Sequence, residues 1–102
     1  MSRFARHADS NAKQLLEAFR AHGCSILRIT CAEPGAPDLL VGRLGLDGLV
    51  ELKPNVGEKR RRNPRATQVE WAARWRGRPV AVVRTVDDVA AVVGAMVAES
   101  GP

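Results

Sequence analysis

The spacing of apolar residues changes several times along the 102-residue chain, and each change predicts a new element. A first helix is predicted between polar caps at residues 9–11 and a terminating Gly23. Its apolar positions follow at i, i+3, i+4 and i+7: Ala12, Leu15, Leu16 and Phe19. The segments "CSILRIT", "PDLLVG" and "GLVELK" then predict three strands, and Gly45 and Gly48 around Asp47 mark a hairpin between the last two.

The second half of the chain predicts a helix, a strand and a last helix. The segment "PNVGEKRRRNPRA", rich in Pro, Gly and charge, is interpreted as a basic loop over residues 54–66. Two starts are open for the helix that follows, either Asn63 with Pro64 or the capping-box pattern at Thr67, and Gly77 ends it. The strand "PVAVVR" comes next. Thr85 and Asp88 then form a second capping-box pattern.

The last helix carries its predicted apolar face at Val86, Val89, Ala90 and Val93. The resulting order, α-β-β-β-α-β-α, predicts an α/β fold with a mixed central sheet flanked by helices. A chain of this length supports one core, so residues 1–102 are expected to form a single domain. Residues 1–8 are expected to be a flexible N-terminus.

Positive charge is concentrated in one part of the chain. Residues 53–78 hold nine Lys and Arg against two acids, whereas the net charge of the whole chain is only +5. Such a concentrated field suits a polyanion such as nucleic acid, and a solvated charged face is the alternative. Four consecutive basic residues, Lys59 to Arg62, are best explained by contact with a phosphate backbone, and Arg65 follows them.

The sequence contains no pattern for export or membrane insertion. The first ten residues, "MSRFARHADS", lack the apolar core of a signal peptide, and no apolar run approaches the length of a membrane span. We therefore expect a cytoplasmic protein with no membrane partner. Cys24 and Cys31 are too far apart along one extended segment to form a disulfide with each other, and they are interpreted as reduced thiols.

Three charged residues interrupt the apolar hairpin. Glu51 and Lys53 project from the same face of the third strand, about 6.6 Å apart along it, while Val50 and Leu52 point to the core. Asp38, at the head of the preceding strand, lies roughly 4.8 Å from Glu51 if the hairpin register places the two residues opposite each other. Two carboxylates and one ammonium would then converge.

Such a cluster has a chemical use. Two carboxylates and a main-chain carbonyl, such as that of Leu52, form a partial oxygen shell for Mg²⁺. Lys53 would lie beside a metal-bound water and stabilise negative charge on a phosphate that is being attacked. The alternative is structural, because Asp after Pro is common at strand starts and Glu51 with Lys53 could be a solvated pair.

The motifs "PD" at Pro37 and Asp38 and "ELK" at residues 51–53 resemble the signature of the PD-(D/E)XK nuclease superfamily. The predicted element order is similar to the core of that superfamily, which is the restriction-endonuclease-like fold. In particular, the chain resembles the small phage and bacterial nucleases of the VRR-NUC and Holliday junction resolvase-like type. The likeness also includes "GAPD", a glutamine near the start of the second helix, and the closing segment "RPVAVVRTVDDVAAVV".

The resemblance implies Asp38 and Glu51 as metal ligands and Lys53 as the catalytic lysine. It also implies that Gln68 supports the site or the scissile phosphate, with Mg²⁺ as the cofactor and Mn²⁺ as a substitute. The implied function is that of an endonuclease for DNA, selective for branched structures such as the Holliday junction and acting as a homodimer. Two alternatives stay open: an inactive nuclease-like module that binds nucleic acid, and a basic interaction protein without a nucleic-acid substrate.

Overall fold

The structure is a computed structural model that describes residues 3–30, 33–54 and 66–101, with the backbone alone for residues 3–10. The described residues form seven elements: α1 (Arg3–Ala21), β1 (Ser25–Arg28), β2 (Leu39–Arg43), β3 (Leu46–Leu52), α2 (Ala66–Arg74), β4 (Ala81–Val83) and α3 (Val86–Ser100). The predicted α/β class and the order of helices and strands are confirmed at this level.

The four strands form one mixed sheet in the order β1-β2-β3-β4. β2 pairs antiparallel with both β1 and β3, whereas β4 follows α2 and lies parallel to β3. The two-residue link between β2 and β3 joins antiparallel strands, and a parallel pair needs a longer crossover such as the segment that contains α2. The β2–β3 ladder ends where Leu39 pairs with Val50. Asp38 therefore precedes the paired part of β2, beside the end of β3 that carries Glu51.

The hairpin between β2 and β3 turns at Leu44 and Gly45, because Arg43 pairs directly with Leu46. Both turn residues have positive φ, 56° and 81°, as the tightest two-residue hairpins require. The predicted turn around Asp47 was therefore placed too late, and Asp47 and Gly48 belong to β3. Leucine rarely adopts positive φ, so the pattern "RLGL" gave only half of the expected turn signal.

One face of the sheet forms the core together with α1 and α3. Its fully buried members are Leu15, Phe19, Leu39, Val41, Val50, Val83 and Val89. Leu52 packs against this cluster, so the expected inward direction of Val50 and Leu52 is confirmed. Side chains alternate along a strand, and the intervening residues of β3, Glu51 among them, therefore point to the opposite face.

The capping of α3 is as predicted, but its buried face is shifted. Thr85 accepts a hydrogen bond from the N–H of Asp88, and the Asp88 carboxylate accepts hydrogen bonds from the N–H groups of Arg84 and Thr85. The buried residues are Val89, Val93 and Met96, whereas Val86 is 47% exposed and Ala90 is exposed. The stripe runs at i, i+4 and i+7, one turn further along the helix than predicted.

Helix boundaries are the least accurately predicted part of the fold. α1 begins at Arg3, before the expected caps at residues 9–11, because no Gly or Pro interrupts the preceding residues. Thr67 lies inside α2 rather than capping it, and the alternative start at Asn63 lies outside the described residues. No described helix is both long and apolar enough to cross a membrane.

Candidate functional site

Asp38 is fixed by three hydrogen bonds at the entry to β2. Its N–H donates to the carbonyl of Val50 at 3.1 Å, and its own carbonyl accepts from the N–H of Ile29 at 2.8 Å. Its side-chain Oδ2 accepts from the N–H of Leu52 at 2.8 Å. Val50 and Leu52, the two residues of β3 that Asp38 contacts, precede and follow Glu51. Asp38 therefore lies beside Glu51, at the entry to the neighbouring strand.

Gln68 joins the other two charged residues. Its Oε1 accepts a hydrogen bond from Nζ of Lys53 at 2.9 Å, and its Nε2 donates to Oε2 of Glu51 at 2.8 Å. Lys53 Nζ also lies 3.9 Å from the same Glu51 oxygen. Because one end of the amide faces a cation and the other an anion, the orientation of the Gln68 side chain is determined.

The ionic pair inside this group is shielded from solvent. The side chains of Lys53 and Glu51 are only 19% and 13% exposed. A partly buried pair is screened by salt much less than an exposed one, and each charge needs further hydrogen bonds to offset its lost hydration. Gln68 supplies one such bond to each partner. The group is therefore preorganised, because its members are positioned by contacts within the protein.

α1 also reaches this end of β3. Nδ2 of Asn11 donates a hydrogen bond to the carbonyl of Lys53 at 3.2 Å, and the N–H of Lys53 donates to the carbonyl of Val83 in β4 at 3.0 Å. The main chain that carries the lysine is consequently fixed from a helix and from a neighbouring strand. Asn11, which the sequence pattern offered as a helix cap, lies inside α1 and contacts the end of β3.

The loop that leads to Asp38 packs tightly on α2. Gly35 has φ of +87°, and a Cβ atom built on it would lie 2.3 Å from the carbonyl oxygen of Thr67. Beside it, Nε1 of Trp71 donates to Oε2 of Glu33 at 2.8 Å. Glu33 is an exposed loop residue, and this hydrogen bond joins its carboxylate to α2. These contacts fix the position of the loop relative to α2 and therefore relative to Gln68.

The two tryptophans of α2 have different surroundings. Trp71 is buried, at 8% exposure, whereas Trp75, directly after the helix, is 44% exposed. The predicted phosphate-contact residues lie outside the described part of the chain: Lys59, Arg60, Arg61, Arg62 and Arg65.

The donor atoms at the site suit a small, hard divalent cation. Asp38 and Glu51 bring carboxylate oxygens to one end of β3, and the main chain of Leu52 adjoins the Asp38 carboxylate. Residues 3–30, 33–54 and 66–101 contain no cluster of three or more His, Cys, Asp or Glu side chains that could hold a metal. A set of two carboxylates fits Mg²⁺, which keeps several waters and needs few protein ligands.

Comparison with known proteins identifies neither a family nor an activity for the chain. No protein-family model, curated protein or solved structure matches the chain significantly. A function for this protein therefore has to be argued from the residues at the end of β3 and from the motifs that they form.

Proposed function

We propose that the protein is a metal-dependent endonuclease that hydrolyses phosphodiester bonds of DNA. The observation that carries this proposal is the convergence of Asp38, Glu51, Lys53 and Gln68 at one end of β3. A general folding role accounts poorly for it, because a strand with an apolar core face does not need two anions and a cation joined through an amide. Metal-dependent phosphate hydrolysis uses such a set: hard-oxygen metal ligands and a fixed positive charge.

Mg²⁺ would be held by Asp38, Glu51 and the main-chain carbonyl of Leu52, and Mn²⁺ would substitute. When bound, the ion supplies Lewis-acid charge for the phosphate and lowers the pKa of a coordinated water. The protein contributes the positions of the two carboxylates. Asp38 is held through its hydrogen bonds to β3, and Glu51 through the amide of Gln68.

Lys53 supplies positive charge from the protein itself, in addition to that of the metal ion. Its ammonium group lies between Gln68 Oε1 at 2.9 Å and Glu51 Oε2 at 3.9 Å, with little exposure to solvent. In this position it stabilises the negative charge that accumulates on the phosphate during attack by water. Gln68 acts as a positioning residue, since it orients both the ammonium and the Glu51 carboxylate.

Selectivity for branched DNA belongs to the same proposal. The positive charge concentrated in residues 53–78 suits the phosphate backbone rather than base edges, so recognition would depend on phosphate contacts and DNA shape. A homodimer would present two such sites to the symmetric strands of a four-way junction. The exposed Val86 and Val97 of α3, at 47% and 46% exposure, offer apolar area for its interface.

The test is a cleavage assay on four substrates: a four-way junction, a linear duplex, a single strand and a supercoiled plasmid. Each is incubated with Mg²⁺, Mn²⁺ or EDTA. We expect metal-dependent cleavage, fastest for the junction, and a fall of about 10²- to 10³-fold in rate for Lys53→Ala, as when one preorganised electrostatic group is removed. Lys13→Ala is the matched control, because Lys13 is an exposed lysine of α1 whose position, two residues after Asn11, projects from nearly the opposite side of the helix.

Binding of the same substrates, measured at several salt concentrations beside cleavage, separates the alternatives. Salt-sensitive DNA binding that survives Asp38→Asn, without cleavage under any metal condition, would identify an inactive nucleic-acid-binding module. Failure to retain DNA at moderate salt would favour a basic protein that contacts an acidic protein partner. Equal cleavage by wild type and Lys53→Ala would remove Lys53 from the proposed chemistry.

A further inference from the structure

An exposed indole lies one helical turn beyond the buried part of α2. The rings of Trp71 and Trp75 stack with their centroids 4.9 Å apart and their planes inclined by 16°. Trp71 is anchored by its hydrogen bond to Glu33, whereas 44% of Trp75 is exposed to solvent. The outer indole therefore rests on an immobilised inner one, and its orientation is set before any ligand arrives.

The residues around Trp75 combine close packing with positive charge. A Cβ atom at Gly77 would lie 2.8 Å from Nε1 of Trp75, so the glycine allows the main chain to pass directly beside the ring. Arg74 and Arg76 flank the tryptophan in sequence, and both are exposed. The next arginine, Arg78, pairs with Glu99 at 3.0 Å.

The position of the indole relates it to the proposed site. Gln68, Trp71 and Trp75 follow at i, i+3 and i+7, so they share one side of the helix and its continuation. Seven residues of helical rise span about 10 Å. This length corresponds to about three nucleotides at the 3.4 Å spacing of one strand in duplex DNA.

We propose that Trp75 is a stacking platform for an unpaired base of a nucleic-acid strand, with Arg74 and Arg76 contacting the adjoining phosphates. This inference rests on the proposed function and deepens it, because it specifies unpaired nucleotides a few positions from the cleaved bond. Every base has a π-face, so a fixed indole binds it without regard to sequence, and the arginines supply affinity for the backbone.

The charge around Trp75 favours a nucleic acid over a second copy of the chain. A two-fold interface centred on the indole would bring the same patch of both copies together. Arg74 and Arg76 would then face an equally basic surface, which is unfavourable. A polyanionic strand instead offsets both charges while its base covers the exposed ring.

The experiment measures binding in EDTA, so that cleavage does not interfere. Fluorescence anisotropy of a labelled oligothymidylate of about 16 nucleotides is compared with that of a duplex of equal length. For Trp75→Ala we expect single-strand affinity to fall about 5- to 150-fold, which corresponds to the loss of one stacked base. Duplex affinity should change far less. Trp75→Phe should retain part of the single-strand affinity.

Val69→Ala is the matched control, because Val69 is an exposed apolar residue of the same helix, at 51% exposure. It should leave both affinities within about twofold of wild type, a change well below that of one stacked base. Circular dichroism verifies that each variant is folded. Unchanged single-strand binding by folded Trp75→Ala overturns the platform, as does a change in its sedimentation mass, which would assign the indole to an interface between copies.

The platform and the nuclease fail in different ways. If only the platform proposal is wrong, wild type cleaves DNA in the presence of metal, and Trp75→Ala binds single strands as wild type does. If only the nuclease proposal is wrong, single-strand binding in EDTA still depends on Trp75, but neither Mg²⁺ nor Mn²⁺ produces cleavage.

Discussion

The contact between Gly35 and α2 leads to a sharp prediction for the substitution Gly35→Ala. Gly35 lies in the loop that delivers Asp38 to the site, and its Cβ position is 2.3 Å from the carbonyl oxygen of Thr67 and 3.1 Å from Cβ of Trp71. Both obstacles belong to a helix rather than to the tip of a flexible side chain. An alanine can therefore fit only if the loop and α2 move apart.

Two contributions to the destabilisation can be separated. The positive φ of +87° disfavours any residue with a Cβ, which costs about 1–2 kcal/mol. The clash adds to this, because an ordinary contact begins near 3.4 Å and the gap must open by more than about 1 Å. Overpacking of this kind typically costs about 1–3 kcal/mol. We expect a total loss of about 2–5 kcal/mol for Gly35→Ala.

Gly45→Ala is the matched control for the backbone contribution alone. Gly45 has a similar φ of +81°, yet nothing lies within 4 Å of its Cβ position. Urea unfolding followed by circular dichroism should show the smaller loss for Gly45→Ala, about 1–2 kcal/mol. In cleavage assays under folding conditions, only Gly35→Ala should lose activity beyond its folded fraction. Equal free energies of unfolding for the two variants would refute the proposed packing of the loop on α2.

Two further substitutions test the site and the helix caps. Gln68→Glu places a carboxylate where an amide now donates to Glu51, so the cleavage rate should fall about 10- to 100-fold. Circular dichroism should show that the helix content is retained. Cleavage at the wild-type rate would show that the hydrogen bond from Gln68 to Glu51 is unnecessary. Thr85→Ala should lower the free energy of unfolding by about 1 kcal/mol, measured by urea titration, because α3 loses its cap. Hydrogen bonds from the N–H groups of Arg84 and Thr85 lower the pKa of Asp88. The stabilisation by Asp88 should therefore be complete above about pH 4, the pKa of an unfolded aspartate, and be lost as the pH falls through the lower pKa of the folded state. A urea midpoint that does not change over this pH range would contradict the prediction.

The sheet was predictable because its strands carry strong local signals. Alternating apolar residues mark the strands, the short link between β2 and β3 favours an antiparallel pair, and the helix between β3 and β4 provides the long connection that a parallel pair needs. The hairpin turn was misplaced because Leu44 takes a positive φ that its side chain disfavours. In such a case the register of the whole hairpin overrides the preference of one residue.

Strand geometry alone predicted that Asp38, Glu51 and Lys53 would lie close together, whereas a role for Gln68 was implied by the resemblance of the chain's motifs to the nuclease superfamily. Strand alternation places Glu51 and Lys53 on one face, and the structure brings Gln68 to both of them. The supporting contacts of Asn11 and Glu33 were not predictable, since they depend on where two helices meet the sheet. Contacts between residues more than thirty positions apart have no signature in local spacing.

The group formed by Glu51, Lys53 and Gln68 also bears on why these residue types are present at all. Replacing a partly buried ion pair by apolar side chains of similar size is often neutral for stability or increases it. The group lies opposite the core face of β3, and the side chains of Lys53 and Glu51 are only 19% and 13% exposed. Stability alone would therefore favour apolar side chains there. The proposed reaction, which needs a fixed cation beside two carboxylates, would account for the polar set and for the amide that holds the cation and one carboxylate in place.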